Sequence, residues 1–171
     1  LQKMIKSVET RWHKSGKKIG AYIKCERMKN KKDGHEKSPI ADIKRQILAS
    51  DFSFPGMNST DYIVAVTTSD ESYVTNMEGG SLKLDEKEIY KKYDDPNDPL
   101  TFLLVVDKAS MGVSLMLAKE IMTFRTTDKS NPDGDAIIEY MVQLLGRGTR
   151  PYAGDSACEP RFQRQAWWSD C

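Results

Sequence analysis

Hydrophobic residues gather in four short runs along the chain, at residues 19–23, 62–66, 102–106 and, less strongly, 121–124. Within each run the apolar residues are nearly continuous and do not alternate with polar ones. Such runs are typical of strands that are buried on both faces, as in the parallel sheets of α/β proteins. The pattern therefore predicts four buried parallel strands.

Between these runs, hydrophobic residues recur with helical spacing. Helices are predicted at residues 1–13, 40–48 and about 135–147, and Ser38 and Pro39 introduce the second of them as cap and first-turn residues. Strands that alternate with helices predict an α/β fold, in which helices cover both faces of a central parallel sheet. We therefore expect a three-layer domain.

Turn-forming residues mark the connections. Gly79-Gly80 predicts a turn, and residues 94–99, which hold three aspartates and two prolines, predict a break before the third strand. Asp85, at the head of a charged stretch, predicts the solvated start of a helix.

The last predicted helix has one polar, cationic face. At ~100° per residue from Gln143, Arg147 falls at roughly 40° and Arg150 at roughly −20°, and the apolar residues lie opposite. Arginines on such a face are usually solvated. However, Gly146 and Gly148 each cost roughly 1 kcal/mol in a helix interior, which indicates a close approach to the backbone or a helix end. Paired guanidinium groups are well suited to binding phosphate oxygens.

Polar residues also follow two of the predicted strands. The run at 102–106 leads into Asp107 and a glycine-containing loop, and the run at 62–66 leads into Thr67, Thr68 and Ser69. Ligands of open parallel sheets bind at the carboxyl ends of the strands, and hydroxyl groups suit phosphate contacts. An ordinary turn followed by a helix cap explains the three hydroxyls nearly as well.

These segments resemble motifs of superfamily 2 helicases and translocases. Gln143-x-x-Gly146-Arg147-x-x-Arg150 resembles motif VI, residues 102–114 resemble motif V, and residues 18–25 resemble motif IV. Motif VI begins 29 residues after the end of motif V (143 − 114), in the order that the family has. Motif V ends here in Gly-Val-Ser where the family has Gly-x-Asp, so its last residue lacks the usual carboxylate.

The resemblance implies that residues 1–151 form the second RecA-like domain of a helicase or translocase, followed by a tail of unknown structure at residues 152–171. ATP and Mg²⁺ would be bound mainly by a first RecA-like domain that this sequence does not contain. The nucleic acid would be DNA or RNA, with DNA favoured, and the protein would be cytoplasmic, in a bacterial or phage-infected cell. The implied arginine fingers are Arg147 and Arg150; the implied nucleotide-side residues are Gln143, Gly146, Gly112 and Ser114; and the implied nucleic-acid contacts are Thr67, Thr68, Ser69, Lys108, Ser110 and Met111.

Composition limits these expectations. The chain has 171 residues, enough for one domain but too few for two motor domains, and it begins at Leu1, which fits a fragment of a longer protein. Gly16-Lys17-Lys18 lacks the other residues of a phosphate-binding loop, so this piece alone is not expected to hydrolyse ATP.

Charge is distributed unevenly. The formal net charge is +1, but residues 1–37 carry ten lysines and two arginines against four acidic residues, a balance of 12 − 4 = +8. This segment is either a solvated basic stretch or an edge that contacts phosphates. Two other functions therefore stay open. One is a non-catalytic nucleic-acid-binding α/β domain, and the other is a different nucleotide-binding enzyme that uses Asp107 near a metal.

The cysteines and histidines of the sequence do not have the spacing of a metal site. The three cysteines form no CxxC pair, and both histidines lie in lysine-rich surroundings, so no metal site is predicted. The odd cysteine count fits a reducing cytoplasm. No apolar run approaches the ~18 residues of a membrane span, and no membrane partner is expected.

Overall fold

The fold is given by a computed structural model that describes residues 1–25, 39–106 and 115–124. Helices and strands follow one another along this part of the chain. In chain order they are α1 (Gln2–Ser15), β1 (Gly20–Cys25), α2 (Pro39–Leu48), β2 (Tyr62–Thr67), β3 (Ser72–Asn76), β4 (Ser81–Lys83), α3 (Glu86–Tyr93), β5 (Phe102–Val106) and β6 (Ala118–Phe124). The first two predicted helices are confirmed. The helix predicted at 135–147 and the domain boundary at 151 lie outside the described residues.

The strands form one six-stranded sheet with the order β4-β3-β2-β5-β1-β6. β1 pairs in parallel with both β5 and β6, and β2 pairs in parallel with β5. These four strands contain the four hydrophobic runs apart from Ile19, which precedes β1, so the predicted parallel sheet is confirmed for them. Every residue of β1 and of β5 is buried, as continuous apolar strands in the middle of a sheet require.

The rest of the sheet corrects the sequence prediction. β3 pairs antiparallel with β2, and β4 pairs antiparallel with β3, so the sheet is mixed and not wholly parallel. The turn predicted at Gly79-Gly80 joins these two strands. Gly79 has a φ of 84°, a conformation that glycine adopts without strain, and the Gly80 amide donates to Asn76 Oδ1 at 2.7 Å.

Helices cover both faces of the sheet. α1 and α2 pack on one face through seven buried residues, and α3 packs on the other through Ile89 and Tyr93. Successive residues of β5 alternate between these two cores: Phe102 and Leu104 face α1 and α2, whereas Leu103 and Val105 face α3. This is a three-layer α/β arrangement. The seven residues of α1 and α2 are Met4, Ile5, Val8, Trp12, Ile40, Ile43 and Ile47.

The amino edge of the sheet, where the parallel strands begin, is held together by contacts between distant segments. The Gly20 amide donates to the Leu117 carbonyl at 2.7 Å, and a Cβ atom at Gly20 would lie 2.5 Å from the Tyr93 hydroxyl. Asp94, which follows α3, accepts from the amides of Met116 and Leu117 at 3.0 and 3.1 Å. The starts of β1 and β6 are thereby fixed against the end of α3.

Candidate nucleic-acid site

One predicted binding segment, Thr67 to Ser69, lies at the carboxyl edge of the sheet, next to the end of β5. β2 and β5 are adjacent parallel strands, and Thr67 at the end of β2 is in register with Val105. The described part of β5 ends at Val106, the residue before the predicted motif V loop. The end of β2 at Thr67 and the end of the described part of β5 therefore lie side by side at this edge.

The other predicted site residues lie outside the part of the chain that the structure describes. The residues are Lys108, Ser110, Met111, Gly112, Ser114, Gln143, Gly146, Arg147 and Arg150. Their roles stay predictions that rest on the sequence resemblance.

Thr67, Thr68 and Ser69 lie at the start of a tight turn between β2 and β3. Thr68 Oγ1 accepts from the amides of Asp70 and Glu71 at 3.1 and 3.0 Å, and the Thr68 amide donates to the Glu71 carbonyl at 2.8 Å. The sequence reading of a turn is therefore confirmed, but the helix cap is wrong, because an antiparallel strand follows. A threonine hydroxyl that bonds local amides offers the chain this alternative to a helix.

The three hydroxyls differ in their access to solvent. Thr67 is buried, Thr68 is half-buried with its hydroxyl bonded within the turn, and Ser69 is exposed. Ser69 is therefore the exposed hydroxyl of the three, and it donates to Asp70 Oδ1 at 3.0 Å. The exposed carboxylates of Asp70 and Glu71 come next, and they repel phosphate. Positive charge for a phosphate contact at this edge has to come from other residues.

A groove of about 1300 Å³ lies at the opposite, amino edge of the sheet. Four separate segments form its walls: the end of α1 with the residues that follow it, the loop that precedes β2, the loop that precedes β5, and the start of β6. Sequence spacing did not reveal this groove, because its walls are far apart along the chain. The signal that was present is the basic composition of residues 1–37.

Gly16, Lys17 and Lys18 border this groove and do not form a phosphate-binding loop. Gly16 ends α1 in the left-handed conformation, with φ 65°, and its amide donates to the Trp12 carbonyl at 2.8 Å. A phosphate-binding loop precedes a helix, whereas this segment follows a helix and leads into β1. The sequence argument against such a loop here is supported by this geometry.

Lys18 is buried at the base of the groove. Its ammonium donates to three backbone carbonyls at the end of α3, those of Lys92 at 3.2 Å, Tyr93 at 2.8 Å and Asp95 at 2.8 Å. Burial lowers the pKa of Lys18 from its usual 10.5 to about 8, although nearby aspartates, Asp98 foremost, act against this shift. Through these hydrogen bonds Lys18 links the end of α3 to the segment that leads into β1.

The lowered pKa of Lys18 predicts a pH dependence of stability. Between pH 8 and 10.5 the unfolded chain holds a proton on Lys18 that the folded chain has lost, so the contribution of Lys18 to stability rises with pH in this window. Urea unfolding of the wild type and of Lys18→Met, each at pH 7 and at pH 9.5, measures this dependence. We expect the free energy of unfolding of the wild type, relative to that of the variant, to rise by about 2 kcal/mol between pH 7 and pH 9.5. A difference that stays constant with pH would contradict this assignment.

The described residues offer no other obvious chemistry. Among them, no group of three or more histidine, cysteine or acidic side chains is arranged to hold a metal ion. Burial raises the pKa of the Cys25 thiol to about 12, which leaves this group unreactive at neutral pH. None of the helices in these ranges has the length and apolar character that crossing a membrane requires.

Comparison with known proteins adds no relative: no protein-family model, curated protein or solved structure matches the chain. The arguments for a function therefore come from the residues and from the geometry described above.

Proposed function

We propose that the chain is the second motor domain of an ATP-dependent superfamily 2 helicase or translocase. The observation that carries this proposal is the position of β2 next to β5 in a three-layer α/β fold. In this arrangement β2 and β5 end at the same edge of the sheet, and in the sequence these strands precede the segment at Thr67 to Ser69 and the motif V loop. The order of motifs IV, V and VI along the sequence supports the same function.

In this mechanism, ATP and Mg²⁺ are held mainly by a first RecA-like domain of the parent protein. Closure of the two domains brings the guanidinium groups of Arg147 and Arg150 to the γ-phosphate. There they stabilise the negative charge that develops in the transition state. Gln143, Gly146, Gly112 and Ser114 lie on the nucleotide side of the same cleft.

The carboxyl edge of the sheet holds the nucleic acid. Lys108 supplies positive charge, and the Ser110 hydroxyl donates to a phosphate oxygen, as does the Ser69 hydroxyl when it exchanges its bond to Asp70 for one to the phosphate. The Met111 side chain contacts the nucleic-acid strand. Such contacts bind the backbone and read little sequence. Opening and closing of the two domains then moves this contact along the strand.

A non-catalytic nucleic-acid-binding domain is the second candidate. The observation that favours it is the cluster of basic residues at the amino-edge groove, which lies on a different edge from the proposed ATP-linked loops. A protein of this class binds nucleic acid but shows no dependence of ATP hydrolysis on Arg147 or Arg150.

The nucleic-acid contact at the carboxyl edge predicts a salt-sensitive affinity that depends on Lys108. Fluorescence anisotropy with a labelled single-stranded DNA measures this affinity for the 171-residue chain. With about three phosphate contacts, we expect affinity to fall by at least tenfold between 50 and 200 mM salt. Lys108→Ala weakens binding severalfold and lowers the salt slope by about 0.7.

Lys91→Ala is the matched control for Lys108→Ala. Lys91 is an exposed lysine in the last turn of α3, toward the edge where the parallel strands begin, and its removal takes away the same charge. We expect it to leave affinity unchanged within a factor of two. Equal losses from the two variants, or an affinity that does not respond to salt, would contradict a specific phosphate contact at the carboxyl edge.

A further inference from the structure

The core between α3 and the sheet contains buried hydroxyl groups. Thr67 Oγ1 and the Tyr93 hydroxyl are both fully enclosed, and neither forms a hydrogen bond to another residue in the described ranges. A buried hydroxyl that forms no hydrogen bond destabilises the folded state, so such a group calls for a specific reason. The two hydroxyls lie toward opposite edges of the sheet, since Thr67 ends β2 and Tyr93 lies against Gly20 at the start of β1.

The Thr67 side chain points to the α3 side of the sheet. Ala65, two residues earlier in β2, belongs to the core beneath α3, and side chains two positions apart in a strand point to the same face. Thr67 is also in register with Val105 of β5, which lies in the same core. The Thr67 hydroxyl is therefore enclosed on the α3 side, at the carboxyl edge of the sheet.

Tyr90 of α3 is a polar neighbour of this hydroxyl. The end of α3 lies at the amino edge, where Lys18 donates to the Tyr93 carbonyl, so Tyr90 lies nearly one turn closer to the carboxyl edge. The Tyr90 side chain is half-buried and packs against the core beneath α3. Burial is the main cause that raises the pKa of Tyr90, and the Thr67 hydroxyl acts in the opposite direction, which requires the two hydroxyls to be close together.

The single hydrogen of the Tyr90 hydroxyl is already donated. Its acceptor is the carboxylate of Glu86, one turn earlier in α3. The Tyr90 oxygen is therefore left as an acceptor, and the Thr67 hydroxyl is a donor that rotates to suit its partner. A bond between side chains four residues apart also stabilises a helix, which is a purely structural role. That role alone gives no reason for the buried Thr67 hydroxyl beside it.

Thr67 is the last strand residue before the turn that carries Ser69. Thr67 pairs with Ser72 across this turn. Within the turn, the Thr68 amide donates to the Glu71 carbonyl at 2.8 Å. The Thr67 side chain therefore acts at the base of the turn, and its orientation affects where the Ser69 hydroxyl lies.

We propose that Tyr90 is a positioning residue for the nucleic-acid contact at the carboxyl edge: its oxygen accepts a hydrogen bond from the Thr67 hydroxyl, once this group turns toward it, and thereby holds the turn that presents Ser69. The role of Ser69 rests on the proposed function, whereas the contact between Tyr90 and Thr67 does not. Tyr90 itself does not touch the nucleic acid.

The first test compares the loss of one hydroxyl at two positions of α3. Tyr90→Phe removes the hydroxyl beside Thr67, and Tyr93→Phe removes a buried hydroxyl near the other edge of the sheet. Hydrogen exchange of the Thr68 amide reports on the turn without any ligand. We expect Tyr90→Phe to speed this exchange about fivefold, as the loss of one hydrogen bond does, and Tyr93→Phe to leave it unchanged within a factor of two.

Two controls accompany this measurement. The Gly80 amide lies in the turn between β3 and β4, and its exchange should not change in either variant. Thr67→Val removes the other hydroxyl at nearly constant volume and should speed exchange at Thr68 as Tyr90→Phe does. The double variant Tyr90→Phe/Thr67→Val should exceed neither single variant, because both changes remove the same bond.

The second test measures the affinity for a labelled oligothymidylate by fluorescence anisotropy. We expect Tyr90→Phe to weaken binding about threefold and to leave the salt slope unchanged, because no cation is removed. If Tyr90 acts through Ser69, then Tyr90→Phe has no further effect in a Ser69→Ala background. A purely structural role of Tyr90 predicts the same loss in both backgrounds.

Unchanged exchange at Thr68 in Tyr90→Phe, or equal effects of Tyr90→Phe and Tyr93→Phe, overturns the positioning role. Additive losses of affinity from Tyr90→Phe and Ser69→Ala overturn it as well. A wild type that does not bind oligothymidylate rejects the carboxyl-edge contact, and with it the role of Tyr90 in binding. Faster exchange at Thr68 in Tyr90→Phe would in that case still support the contact between Tyr90 and Thr67, so the two failures are distinguishable.

Discussion

Arg150→Ala in the full-length parent protein is expected to lower the nucleic-acid-stimulated rate of ATP hydrolysis by about 10³-fold, and Arg147→Ala by a similar factor. The reason is that a guanidinium at the γ-phosphate stabilises charge that exists mainly in the transition state. The loss should therefore appear in kcat, with a much smaller change in KM. Steady-state hydrolysis at saturating single-stranded DNA measures both quantities.

Two further variants sharpen this expectation. Arg150→Lys keeps the positive charge but loses the planar fork, so it should recover a small part of the activity. Arg45→Ala removes an exposed arginine of α2 that pairs with Asp42 at 2.9 Å, and it should leave the rate unchanged. Near wild-type hydrolysis in both Arg147→Ala and Arg150→Ala would reject the motor function and favour a binding domain without catalysis.

The parallel core of this fold is predictable from the sequence because burial on both faces requires continuous apolar runs. β5 is the clearest case, with the sequence Phe-Leu-Leu-Val-Val and every residue buried. The start of α3 is predictable for a different, local reason. Asp85 caps it by accepting from the Lys87 amide at 3.1 Å, a bond between residues that are two positions apart.

The antiparallel strands were not predicted, because their sequences lack the usual signal of burial. β3 has the sequence Ser-Tyr-Val-Thr-Asn, and all three residues of β4 are exposed. Leu82 in β4 remains 45% exposed although it is hydrophobic. β3 pairs with the free edge of β2 because the chain turns back at Thr68, and β4 pairs with β3 in the same way. The sequence of β3 or β4 taken alone does not show that such an edge is available.

The amino-edge groove was missed for a related reason. Its walls combine residues near 11–18, 54–61, 96–99 and 117–119, and proximity across such separations follows from the topology of the sheet. The sequence indicated a basic segment and left two interpretations of it. Within the described residues of that segment, the side chains of Arg11 and Lys18 donate to acceptors inside the protein, and those of Lys14 and Lys17 are exposed to solvent beside the groove.

Arg11→Ala is expected to lower the free energy of unfolding by about 3 kcal/mol. The Glu120 side chain on β6 is 2% exposed, and its carboxylate accepts from Arg11 Nη1 at 2.6 Å and from Ser7 Oγ at 2.7 Å. Removal of the guanidinium leaves a buried carboxylate with one neutral donor. The Arg11 side chain is 26% exposed, so water can reach the carboxylate after the substitution. The expected loss of stability therefore lies near the lower end of the range for broken buried ion pairs. Urea unfolding at pH 7 measures the change.

The double variant Arg11→Met/Glu120→Met decides what this ion pair contributes. If the single-variant loss comes mainly from the uncompensated carboxylate, removal of both charges should restore most of the stability, to within about 1 kcal/mol of the wild type. α1 then packs on β6 through apolar contacts alone. A double variant as unstable as Arg11→Ala would mean instead that the pair itself holds α1 on the sheet. In that case the position of Lys14 and Lys17 at the groove depends on the same ion pair, since they follow Arg11 in and just beyond the last turn of α1.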